Sequence, residues 1–165
     1  MSERGDGPSP LVRQVARVLA TPAGSWFFLN IANPIDKRLI PATNGRISLS
    51  VGRPVLVLEH RGAKSGQVRR TPIQYLTDGD RVVVIASSGG AAKHPAWYHN
   101  LRANPDAKLF LRRRTGDYVA YEAEGEERER LWAAAIDLYG GYDVYQERAG
   151  QRRIPVMVFR PKSAA

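Results

Sequence analysis

At 165 residues, with 43% hydrophobic and 25% charged side chains, the chain has the size and composition of one soluble domain able to bury a real core. Twenty-five Lys and Arg against sixteen Asp and Glu leave a net charge of +9, which implies an anionic partner (nucleic acid, acidic lipid or a phosphorylated ligand) or a surface that is merely soluble. No cysteine is present, which excludes disulfides, thiolate chemistry and cysteine–zinc sites and fits a reducing cytoplasm, and no apolar run is long enough for a membrane span.

Residues 1–9 are polar and glycine-rich and are expected to be disordered, with no secretory leader. From Pro10 to Ala20, Val12, Val15, Ala16 and Leu19 recur at helical spacing with Arg13 and Arg17 turned away. Such a basic amphipathic helix can pack on its own domain or lie on an anionic membrane surface. Thr21-Pro22 reads as an N-cap and first helical position, opening a second helix through Trp26, Phe27 and Leu29 that Pro34 bends or stops. Residues 41–53 read as loop. The chain thus divides into an N-terminal tail with helices, 1–50, and a main domain, 51–165.

The main domain reads as strands in hairpins. Pro54–His60 is a buried-strand run, and Val68–Thr77 is a second strand whose Pro72 marks an edge or bulge. Asp78-Gly79-Asp80 is a hairpin signal before a strong third strand, Arg81–Ser87. A glycine loop, Ser88–Ala92, leads to a helix from Pro95 to Leu101 that ends near Asn104-Pro105. Ala107–Arg112 and Tyr118–Ala123 form another hairpin. Glu126 to Leu138 is a helix with Leu131, Ala135 and Leu138 on one face, and Pro155–Arg160 closes the chain as a strand. Six strands at such spacings are antiparallel, which predicts a small barrel or curled sheet of α+β type.

Chemistry concentrates in three places. The first is His60-Arg61-Gly62-Ala63-Lys64-Ser65-Gly66-Gln67 with Arg69 and Arg70, where two glycines let backbone N–H groups converge and the cations add charge-assisted bonds to one anion. A hairpin turn with solvated charges has the same pattern. It is not a Walker loop, because Ala63 precedes the lysine and Leu58 stands at the first glycine position. The second is the loop from Ser87 to Lys93, whose backbone donors precede a helix N-terminus; a purely structural loop reads identically. The third is aromatic: Trp97 and Tyr98, then Tyr139, Tyr142 and Tyr145 around Gly140-Gly141, which form either core packing or a wall for a planar ligand. His60, His94 and His99 lack metal-ligand spacing, so no metal site is expected, and no Gly-x-Ser-x-Gly nucleophile elbow occurs.

Three pieces in this order, GAKSGQVRRTP, VIASSGGAAKHPAWYHNL and LYGGYDVYQ followed by RRIPV, resemble the deazaflavin-dependent nitroreductase family of actinobacteria from about Val55 to Phe159. The resemblance implies a split β-barrel (α+β, mainly β) and a reductase of the nitroreductase or quinone reductase type. Its hydride donor would be reduced coenzyme F420, a deazaflavin. It implies that Ala63, Lys64 and Ser65, with Gly66 and Gln67 of the same turn, then Arg69, Arg70, Thr71, Pro72, Ile73 and Gln74, hold the coenzyme's phosphate and acidic tail. Ile85, Ala86, Ser87 and Ser88 would lie beside the ring, and Ala96, Trp97, Tyr98, His99 and Asn100 would close over it. Tyr142, with Tyr139 and Tyr145, would face a small-molecule electron acceptor such as a quinone, nitroaromatic or activated enone; with Ser87 these form the catalytic set. The chain departs from better-known members at Gln74, Ser88, His94 and Ala96, positions that bear on acceptor choice. Because hydride chemistry belongs to the coenzyme, no triad or metal set is needed. An FMN- or haem-binding split barrel is the nearest alternative, although a single phosphate needs fewer cations. A non-enzymatic module binding nucleic acid or anionic lipid through Arg112–Arg114 and the N-terminal helix is the other; with a redox coenzyme in place, no nucleic acid is expected. The implied location is the cytoplasm, with membrane association through the basic N-terminal helix.

Overall fold

Alternation along the strands decides the architecture. A computed structural model of the chain describes residues 33–43, 45, 47–48 and 54–162. Among them are six strands: β1 (Val55–Arg61), β2 (Val68–Asp78), β3 (Arg81–Ile85), β4 (Asp106–Phe110), β5 (Gly116–Glu122) and β6 (Val156–Pro161). All pairings are antiparallel and the sheet closes in the order β1-β2-β3-β6-β5-β4, so no strand is left as a free edge. The α+β barrel expected from the sequence is the one observed.

One set of alternate residues fills the barrel. Leu56 and Leu58, Val82 and Val84, Ala107 and Leu109, Tyr118 and Ala120, Met157 and Phe159 meet in a single buried cluster, with Ile73 and Tyr75 of β2 against it. The opposite set packs under helices. Val83, Ile85, Val156 and Val158 lie beneath α3 (Gly125–Leu138) and α4 (Gly141–Arg148). Val57 and Phe110 lie beneath Ile40 of α1 (Asn33–Ala42). Because both faces are covered, these strands read as continuous apolar runs rather than polar–apolar alternation. A fourth helix, α2 (Ala96–Ala103), pushes Trp97, Tyr98 and Leu101 into the interior cluster and plugs one end of the barrel.

Pro72 sits inside β2 opposite Val57, and pairing of β2 with β3 begins only at Tyr75. The proline therefore occupies a local edge of a long strand, where its missing N–H costs no ladder bond to β3. Three expectations need correction. The loop read over 41–53 starts too early: Pro41 and Ala42 still belong to α1, which carries Pro34 in its first turn, where a proline is tolerated. Leu138 is 45% exposed rather than on the packed face, because α3 ends there and its buried contacts run through Leu131 and Ala135. The stretch around Gly140-Gly141, for which no helix was expected, forms helix α4 from Gly141, with Tyr142 and Tyr145 on it and Tyr139 just before it. The helices expected over 10–20 and from Thr21 through Leu29 lie outside the described residues.

Candidate active site

The turn between β1 and β2 folds back on itself: the Gly62 N–H donates to the Gln67 carbonyl and the Gly66 N–H to the Gly62 carbonyl, both at 2.8 Å. Gly62 is buried in this turn, and a Cβ there would come within 2.6 Å of Ser65 Oγ and 3.2 Å of Arg69 Nε. A larger residue would push apart the two arms of the turn. The turn, the first half of β2, the start of α2 and Lys37 of α1 together line an open cleft of about 1130 Å³.

Asn100 ties the cleft together. The Ala63 N–H donates to Asn100 Oδ1 at 2.9 Å, and since a backbone amide can only donate, Asn100 Nδ2 faces His60 Nδ1 at 3.2 Å. His60 Nδ1 must then accept, which leaves its proton on Nε2, 3.3 Å from Thr71 Oγ1. His60 is 4% exposed; burial, reinforced by the nearby Arg69 guanidinium, lowers its pKa below the ordinary 6.5. One neutral imidazole and one amide thus lock β1, β2, the turn and α2 into a single wall.

Charge in the cleft is unevenly spent. Arg70 Nε donates to Glu59 Oε2 at 2.7 Å, and its guanidinium lies over the Phe110 ring. Lys37, Lys64 and Arg69 have no carboxylate within ion-pair distance among the described residues. Nor do the amide N–H groups of Lys64 and Ser65 donate to any acceptor there.

A second corner lies on the other side of α2. The rings of His99, which lines the cleft, and His94 are 5.8 Å apart, and His94 lies 4.7 Å from the ring of Tyr98. The Tyr98 hydroxyl donates to Glu122 at 2.8 Å; burial and that carboxylate raise its pKa. Beyond His94, the end of β3 runs into a 3-10 turn, Ser88–Gly90, seated on α4. Gly90 is buried there, and a Cβ would stand 2.8 Å from the Tyr145 carbonyl. Tyr142 is 5% exposed, edge-on to Tyr139 with ring centroids 5.4 Å apart, while Tyr139 and Tyr145, both half-buried, pair hydroxyls at 3.2 Å.

The family model of F420H(2)-dependent quinone reductases matches residues 35–161. The chain belongs to that family. A Mycobacterium tuberculosis protein provisionally named an F420H(2)-dependent quinone reductase is 40% identical over 109 residues, which is 66% of this chain and 91% of the relative. A second relative from that organism, named an F420H(2)-dependent quinone reductase, is 37% identical over 121 residues, 70% of this chain and 80% of its own length. Among solved structures, an F420-H2 dependent reductase superposes with a TM-score of 0.60 at 38% identity, covering 66% of this chain and 95% of its own.

In this F420H(2)-dependent quinone reductase relative, the expected site residues divide between the two corners. Ala63, Lys64, Ser65 and Gln67 of the turn, Arg69, Arg70 and Thr71 of β2, and Ala96, Trp97, His99 and Asn100 of α2 all line the cleft. Gly66 closes the turn, while Pro72, Ile73 and Gln74 continue along β2 outside the cleft lining, and Tyr98 turns inward. Ile85, Ala86, Ser87, Ser88, Tyr139, Tyr142 and Tyr145 belong to the second corner. The wall expected of the tyrosines is more closed than the sequence reading had it, because α4 packs Tyr142 against the outer face of the barrel. Lys37 and Val68 line the cleft without having been singled out, and His60 and Gly62, read as part of the basic turn but not among the residues expected to hold the coenzyme, line it too. His60 had a readable signal, since it shares strand parity with the inward-facing Leu56 and Leu58. Lys37 had none, because only folding brings α1 beside β2. No group of three metal-ligating side chains occurs among the described residues.

Proposed function

We propose that this protein is an oxidoreductase that passes hydride from reduced coenzyme F420 to a quinone-type acceptor, with the basic cleft holding the coenzyme's phosphate and acidic tail. The observation that carries this reading is the trio of cations Lys37, Lys64 and Arg69 around one opening with no carboxylate to balance them among the described residues. Like charges around one opening favour an anionic ligand. A tail with several negative groups fits the donor set of three cations and two open backbone amides; a lone phosphate would leave part of it unused.

Reduced F420, when bound, supplies the hydride. The chain's own residues do the rest. Lys64, Ser65 and Arg69 fix the tail, Trp97 and Asn100 hold the lid helix over it, and Ile85 to Ser88 border the ring. The tyrosine layer, with the half-buried Tyr139 and Tyr145 beside the buried Tyr142, borders the acceptor in this reading, and Tyr142 or a water supplies a proton as negative charge develops. Nitroaromatics and activated enones belong to the same acceptor class. No helix among the described residues is long and apolar enough to cross a membrane. The basic sequence over 10–20, which lies outside the described residues, supplies a peripheral contact with anionic lipid in this reading.

Titration of the purified protein with oxidised and reduced F420, FMN and NADPH tests the proposal, followed by a panel of quinones. Saturable F420 binding and F420-dependent quinone reduction are expected. FMN binding tighter than F420 binding would replace it with the flavin alternative.

A further inference from the structure

One side chain of the second corner, not among the expected site residues, holds its shape. Arg152 lies between α4 and β6, and its guanidinium reaches four acceptors at once. Nε donates to the Ala91 carbonyl at 2.8 Å, Nη2 to Ser87 at 2.7 Å and Nη1 to Ala86 at 3.2 Å, with His94 Nδ1 also 3.2 Å from Nη1. These acceptors belong to the end of β3, the glycine loop and the approach to α2. Among the described residues no carboxylate pairs with Arg152, and burial lowers its pKa. The side chain is half-buried, and three backbone carbonyls and an imidazole nitrogen stand where a carboxylate partner would.

Peptide geometry suggests what the charge does. In a planar trans peptide the N–H points opposite the carbonyl. The Ala86–Ser87 and Ser87–Ser88 units turn their carbonyls to Arg152, so the N–H groups of Ser87 and Ser88 face the other way. Neither donates to an acceptor among the described residues. A charge-assisted bond on the carbonyl side of an amide strengthens the donor on its far side. Ser88 is held at φ +50°, a conformation uncommon for a residue with a side chain, and Arg152 grips the carbonyls on the near side of it.

We infer that Arg152 is a positioning residue for hydride transfer: it fixes the end of β3 and the glycine loop so that the Ser87 and Ser88 amides face the coenzyme's ring. The inference rests on the reading that this strand end borders the ring. Arg152 itself touches neither coenzyme nor acceptor. The same contact makes His94 Nδ1 an acceptor and leaves the imidazole proton on Nε2.

The test separates binding from turnover, because the tail is gripped at the other corner. In Arg152→Met, the Kd for F420 is expected to stay within about threefold of wild type while kcat falls roughly 30-fold, the scale of a misplaced or lost transition-state donor. Arg152→Lys keeps the charge but cannot span three carbonyls, and its kcat is expected to fall about tenfold. The absorption band of bound oxidised F420 should shift from that of the wild-type complex in both variants. A kcat within about twofold of wild type, or a Kd that weakens in step with kcat, overturns the inference. If Arg152→Met does not fold, Arg152→Lys decides by the same two criteria. Wild-type protein that does not bind F420 would instead overturn the reading beneath it.

Discussion

The two corners of the site are built on opposite principles. The basic cleft comes mostly from one hairpin, residues 60–71, and holds cations and amides that nothing among the described residues satisfies. The second corner gathers the end of β3, His94, the tyrosines of α4 and Arg152 from four separate stretches. Its polar groups are largely satisfied: the Tyr139 and Tyr145 hydroxyls pair, Tyr98 donates to Glu122, and Arg152 spends its donors on carbonyls. Unspent charge marks where a ligand supplies the missing partner, and spent charge marks where the protein has fixed geometry in advance. Binding should therefore be lost by editing the first corner, and rate by editing the second.

The largest effect is expected at the first. Lys64→Ala combined with Arg69→Ala removes two charge-assisted contacts, each worth about 1.5–3 kcal/mol, and should raise the Kd for F420 at least about 100-fold. Raising salt should weaken wild-type binding more steeply than binding by the double variant. Fluorescence titration checks both, and unchanged affinity would remove the tail from this cleft. Tyr142→Phe probes the second corner. It deletes one hydroxyl while keeping the ring that packs beside Tyr139 and Trp132. It should lower kcat roughly 30-fold with little change in Kd, since proton transfer is where the hydroxyl acts. Equal turnover in the two proteins would end its role as an acid and leave the proton to water.

The same division explains what could be read from the chain. Contiguous features were legible: the cations and glycines of the turn, the hairpin at Gly79-Asp80, and the apolar runs of β1 and β3, which are continuous because helices cover the barrel's outer face. Pairing across the barrel was not. Nothing local says that β6 closes against both β3 and β5, or that α1 brings Lys37 to Arg70. Arg152 was visible only as part of RRIPV, since its role depends on carbonyls more than sixty residues earlier in the chain. Resemblance to a family placed the tyrosines near the acceptor, but only the packing of α4 places Tyr142 in a buried layer.

Asn100 is the hinge of the comparison, because α2 borders both corners. Asn100→Ala leaves the Ala63 N–H without its acceptor and His60 Nδ1 without its donor. Each such loss in a buried setting costs about 1–3 kcal/mol. Part of that should appear as a roughly tenfold weaker Kd for F420, as the turn loses its fixed shape, and part as a lower Tm. Asn100→Asp keeps the acceptor for Ala63 but cannot donate to His60, so it should fall between the two. If the aspartate variant binds no better than the alanine variant, the Ala63 contact is not what shapes the turn.

The smallest effect is a two-step loss of stability in acid. Burial lowers the pKa of both His60 and His94 below 6.5, with Arg69 adding to the effect at His60 and Arg152 at His94. The unfolded chain therefore takes up these protons at a higher pH than the folded one. Stability is full above pH 6.5 and falls as pH drops below it towards the lowered folded values. Asp78 gives the second step. Hydrogen bonds from Arg130 and Arg81 hold its pKa at about 2 against an ordinary 3.8, so its contribution is present above 3.8 and lost as pH falls towards 2. Denaturant melts between pH 7 and about pH 2 measure both steps. His60→Gln, whose amide oxygen can still accept from Asn100, should shrink the first to the share of His94 while leaving F420 binding at pH 7.5 near wild type. Asp78→Asn should remove the second and leave the first in place. If stability stays level from pH 7 to pH 5, His60 is not the neutral acceptor that Asn100 requires, and the wall of the basic cleft is held in some other way.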